Sequence, residues 1–136
     1  MVSLIRGNRG QSVVEFALVL PVLLLVLFGI TELGRAVMVK NVLTSAAREG
    51  ARLAIVTDPD KDAVKARVES VCRAAGITDT TVKITNPDEN TGQIEVTVQS
   101  QFVLIPGSKI FNYFGGDSFP GTLTIGATSV MRHEAL

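Results

Sequence analysis

"RGNRGQSVVEFALVLPVLLLVLFGITELGRAVMVKNVLTSAAREGAR", residues Arg6 to Arg52, decides the fold of this 136-residue chain. From Phe16 to Ile30 every residue is apolar, proline or glycine. With Val13 and Val14 added, a helix over this run is about 27 Å long, close to the roughly 30 Å of a bilayer's hydrocarbon core. Arg6 and Arg9 precede it, and no acid stands among the first ten residues. The positive-inside bias therefore keeps Met1 in the cytoplasm and sends the C-terminal part out. After Ile30 no proline intervenes before Pro59. The helix is thus predicted to continue for about 45 residues in all, nearly 70 Å, with Gly34 its one weak point.

The second half of that helix has a different character. Ala36, Val39, Leu43, Ala46, Gly50 and Leu53 recur at spacings of three and four, while Asn41, Ser45, Arg48 and Arg52 form a polar stripe. Ala46, Ala47, Gly50 and Ala51 are small enough for another backbone to approach closely, either the chain's own sheet or a second subunit. Arg48, Glu49 and Arg52 read as a solvated face.

The remainder reads as a small α+β unit. "TDPDKDAVKARVESVCRAAG" offers Asp58 as a cap, Pro59 at the first helical position and Gly76 as a stop, with Val64, Val68, Val71, Cys72 and Ala75 on one apolar face. Period-two alternation follows at Val82 and Ile84, at Ile94, Val96 and Val98, and at Leu123, Ile125 and Ala127, which predicts antiparallel strands. "NPDENTG" supplies a hairpin loop with Gly92 available for positive φ. "IPGSKIFNYFGGDSFPG" is too rich in glycine and proline for a central strand. Its Phe111, Tyr113, Phe114 and Phe119 either close the core or form a contact loop for another subunit, the membrane interface or a host surface.

Composition excludes several functions. Basic and acidic residues balance at 13 each with no dense basic cluster, which argues against nucleic-acid binding. Cys72 is alone, so an intramolecular disulfide, a zinc site and a CxxC pair are excluded, and its place on an apolar face makes it a core filler. No HExxH, phosphate-cradling loop or GxSxG is present, and His133 stands alone. Asp58, Asp60 and Asp62 alternate somewhat like a calcium loop but lack its glycine and its glutamate, and they read as a helix cap. The chain reads as no enzyme, with neither cofactor nor metal.

Glu15 sits just inside the polar end of the oily run, where a plain anchor gains nothing from a charge. Three readings compete. A cleaved secretory signal requires a small-residue site where Glu32 and Arg35 stand. An uncleaved anchor leaves Glu15 and the helix-interior Pro21 unexplained, although an acid one turn into a span can also rest at headgroup level beside the helix dipole. The third reading ends a leader at Gly10 and makes Gln11 the new amino terminus.

The Gly10-Gln11 junction, "SVVEFALVLP" and "ELGRAVMVKNVLTSAAREGAR" together resemble the TadE-like family, small pilin-like proteins of bacterial tight-adherence (Flp) pilus systems. The resemblance covers roughly Arg9 to Arg52. It implies that a membrane prepilin peptidase cuts after Gly10 and that Glu15 meets the amino terminus of a neighbouring subunit. Glu15-Phe16 in place of the Glu-Tyr of the major Flp pilins, and the greater length, favour a minor pilin or pseudopilin. The expected organisation is a leader over 1–10, a transmembrane helix over 11–31, its periplasmic continuation over 32–56 and an α+β domain over 57–136. The expected partners are prepilin peptidase, other pilin-like subunits and the bacterial inner membrane, crossed once, with incorporation into a pilus. The alternative is an uncleaved, membrane-anchored periplasmic binding or sensor domain.

Overall fold

A computed structural model describes residues 8–56, 61–88, 92–104 and 121–132. Helix α1 runs unbroken over Asn8–Val56, 49 residues and about 73 Å of rise. Pro21 lies inside it, where the ring removes the N–H that would bond the Ala17 carbonyl, yet the helix continues on both sides. Thr31, just past the oily run, donates its hydroxyl to the Leu27 carbonyl at 3.0 Å. That bond satisfies the hydroxyl at this end of the run without water.

A short helix, α2 (Lys61–Ala74), and three strands, β1 (Thr80–Asp88), β2 (Gln93–Val103) and β3 (Thr122–Arg132), complete the fold. The strands form one antiparallel sheet in the order β1-β2-β3. The upper half of α1 lies across the sheet and α2 packs beside it. This is the α+β, pilin-like arrangement predicted from the sequence.

The core is narrow because α1 contributes small residues. Leu43, Ala46, Ala47, Ala51 and Ala54 are essentially fully buried, against Val64, Val68 and Cys72 of α2 and Val96 and Val98 of β2. Gly50 sits at the tightest point, where an added Cβ would lie 2.5 Å from Val68 Cγ2 and 3.3 Å from Val96 Cγ1. Glycine here is a matter of space. The polar stripe of Asn41, Ser45, Arg48 and Arg52 faces solvent. Glu49, beside that stripe, accepts from Arg67 of α2 at 3.2 Å, an exposed pair worth at most about 1 kcal/mol.

Helix α2 ends in a Schellman motif. Gly76 has φ 79°, its N–H donates to the Arg73 carbonyl at 3.0 Å, and the Ile77 N–H donates to the Cys72 carbonyl at 2.9 Å. Helical geometry stops at Ala74, so Ala75 turns outward and does not extend the apolar face as its spacing predicts. The first hairpin also differs from expectation. Asn86, Pro87 and Asp88 belong to β1, across a register shift between Thr85 and Asp88, and Gly92 takes φ 60° on the far side. Proline can sit here because β1 is an edge strand among the described residues, paired on one side only. The cap at Asp58 and Pro59, Asp60 and His133 lie outside the described residues.

Candidate assembly and membrane surface

The lower half of α1 makes no contact that shelters it. Large apolar side chains from Val13 to Ile30 are all exposed, and the most apolar 18-residue window has a mean hydropathy of 2.8 with none of it buried. Such a surface needs a partner outside the chain, since an isolated protein in water rarely shows an apolar patch of more than a few hundred Å². Lipid or the helices of other subunits can supply it. Thus the helix fits a membrane anchor by length and composition.

At the foot of this surface lie the residues singled out in the sequence. Gly10 and Gln11 are in the first turns of α1, exposed, and an added Cβ on Gly10 would meet nothing within 4 Å. Gln11 donates from Nε2 to Glu15 Oε1 at 3.2 Å, one helical turn away. Glu15 is therefore held by a neutral amide on its own helix, with its side chain still open to a stronger donor. Pro21 is exposed on the same rod, about 9 Å further along.

Where the rod meets the domain, a strap joins them that no local pattern in the sequence announces. Arg35 pairs with Glu32 at 3.2 Å, donates from Nη2 to the Val103 carbonyl at 2.8 Å and lies 4.5 Å over the Phe102 ring. The Glu32 side chain is only 12% exposed, and its Oε2 has no hydrogen-bond partner. Further along α1, Lys40 donates its ammonium to the Gly126 carbonyl of β3. Cations placed shortly after an apolar run were the available signal, but their partners lie 68 and 86 residues away in sequence.

Ala46, Ala47, Gly50 and Ala51 are covered within the chain by α2 and the sheet, so a second backbone has no access to them. Phe111, Tyr113, Phe114 and Phe119 lie outside the described residues. Cys72 is buried among Val64, Val68 and Val96, and burial, followed by the nearby Glu69 charge, pushes its thiol above the usual range. A raised thiol is a poor nucleophile. Among the described residues, no group of three or more His, Cys, Asp or Glu side chains comes together to hold a metal.

Residues 10–52, roughly a third of the chain, match a family model described as TadE-like protein. No curated protein and no solved structure matches the chain.

Proposed function

We propose that this chain, whose residues 10–52 match a TadE-like family model, works as a minor pilin-like subunit of a Tad/Flp pilus, freed from its leader by cleavage after Gly10. The observation that carries this reading is the division of α1. Its lower half is wholly exposed and apolar apart from Glu15 and the polar residues at its foot, while its upper half is built into a domain. A rod of this kind can rest in a membrane and later exchange lipid for the rods of neighbouring subunits, because both surroundings are equally apolar.

Cleavage after Gly10 places an ammonium on Gln11, one turn from Glu15. A neighbouring subunit's ammonium attracts the Glu15 carboxylate far more strongly in an apolar medium than in water, and each relieves the other's desolvation. Meeting at one height only, the two charges set the stagger between subunits. Gln11 Nε2 holds the carboxylate until then. The peptidase reaches the Gly10-Gln11 bond by unwinding the first turns of α1, which is cheap at a helix end and at a glycine. The exported domain stands on the periplasmic or outer side, an orientation supported by the positive-inside bias of Arg6 and Arg9.

The test is the intact mass and N-terminal peptide of the protein from its own cells, beside a Gly10→Ala variant. A chain beginning at Gln11 in the wild type and at Met1 in the variant supports the reading. A wild-type chain beginning at Met1 removes the amine that Glu15 is to meet and makes the protein an uncleaved anchored domain. In processed protein, Glu15→Gln should leave cleavage intact while pilus incorporation falls by about tenfold or more, read by the amount recovered in sheared filaments. Unchanged incorporation would reduce Glu15 to a headgroup-level acid.

A further inference from the structure

The strap at Arg35 fixes the height of the sheet above the oily run. Arg35 is five residues beyond Ile30, about 7.5 Å along the helix axis. Its bond to the Val103 carbonyl brings the lower end of β2 to that level, and Val103 pairs with Thr122, Phe102 with Leu123, so β3 starts there too. A bilayer's polar layer is about 5 to 8 Å deep on each side of its hydrocarbon core. With the oily run filling the core, the strand ends therefore fall inside the polar layer, not above it.

The side chains at that height suit such a place. Val103 is 51% exposed and Leu123 50%, and Leu33, on the helix between Ile30 and Arg35, is 70% exposed. The two charges at this level answer each other, with Glu32 largely covered and Arg35 spread over Val103 and Phe102. Among the described residues, the next charged side chains are Lys40 on α1 and Asp79 just before β1, at about 14 to 15 Å, where bulk water begins. Val56 and Val130, 83% and 54% exposed, stand at the far end of the domain, so what singles out the lower rim is its height beside the oily run and its distance from the next charges.

We propose that the rim formed by Leu33, Val103 and Leu123 is a lipid contact, seating the domain directly in the headgroup layer of the outer leaflet while the protein waits in the membrane. The proposal rests on α1 being a membrane anchor. The rim is continuous with that anchor, and its apolar area supplements the span. Seating also limits tilt of the rod, so that every waiting subunit presents Glu15 at a similar depth.

The full chain, with Cys72→Ala, is reconstituted in phosphatidylcholine vesicles and carries an environment-sensitive fluorophore on one cysteine at a time: Leu24→Cys in the span, Val103→Cys or Leu123→Cys on the rim, and Lys65→Cys on α2. Quenchers are placed on the lipid headgroup or deep in the acyl chain. The expected result is deep quenching at position 24, and headgroup quenching at 103 and 123 at least about threefold stronger than at 65. Positions 103 and 123 matching position 65 while 24 is quenched would overturn the seating and leave the anchor standing. Position 24 unquenched would overturn the anchor itself. Rim positions shielded from lipid and from aqueous iodide, with energy transfer between labelled copies, would assign the rim to a second subunit and overturn the lipid contact.

Discussion

The two halves of α1 share one backbone and each presents an apolar surface, yet they differ in the size of their side chains and in what they touch. Below Ile30 the residues are mainly leucine, valine and phenylalanine, and they are exposed. Between Leu43 and Ala54 the buried ones are mostly alanine and glycine. Large side chains offer area to an outside medium that conforms to any shape, as lipid does. Small ones bring the helix axis close to a rigid partner, and at Gly50 even a methyl group would meet Val68. Apolar character alone does not tell where a helix's partner is; residue size does.

Deleting the same side chain from each half tests that contrast most severely. Leu43→Ala removes a fully buried side chain and should cost the domain about 2 to 5 kcal/mol. Leu24→Ala, on the exposed rod, should leave domain stability unchanged. Pulse proteolysis of the detergent-solubilised protein in urea measures both. Equal losses would mean that the rod and the domain unfold as one unit.

Adding volume is the next sharpest test. Gly50→Leu should cost about 1 to 3 kcal/mol or more through displacement of Val68 and Val96, whereas Gly29→Leu and Gly34→Leu, at positions where an added Cβ meets nothing within 4 Å, should be tolerated. Tolerance at Gly50 would show that the helix can lift from the sheet. A smaller loss, of about 1 to 2 kcal/mol, is expected for Arg35→Ala, which removes the bond to Val103 and the contact with Phe102. Hydrogen exchange should report it as faster opening at residues 102–104, not as global unfolding.

How much of this was legible depended on the range of the interaction. The continuation of the helix past Ile30, the small-residue face from Ala46 to Ala51 and the strands follow from periodicity and from the absence of proline between Ile30 and Pro59, all local signals. Gly76 and Gly92 were legible because only positive φ explains glycine at those points. The carriage of β1 through Asn86 and Pro87 was not, because edge position decides whether proline is admissible and sequence does not reveal strand order. The strap was hidden for the same reason. Arg35 by itself reads as a charge after a span, and only the return of β2 to its side gives it the Val103 carbonyl.

The smallest expected effect concerns Cys72, a titrating group whose environment separates the folded domain from the unfolded chain. Burial and the Glu69 charge raise its pKa in the fold. The native state thus keeps this proton at pH values where the unfolded chain, with a thiol pKa of about 8.5, has lost it. With fewer protons on the unfolded state, stability must fall as pH rises. The contribution is complete below the unfolded-chain value and is lost as pH climbs through it toward the higher folded value. Stability measured from about pH 7 to 10, a range that brackets the unfolded thiol's titration, should therefore decline more steeply in the wild type than in Cys72→Ala. Alkylation of the native protein at mildly alkaline pH should be limited by domain opening. Identical slopes in the two proteins, or fast alkylation unaffected by denaturant, would place Cys72 at the surface of the lower-stability part of the domain and move the boundary between the two halves of the molecule.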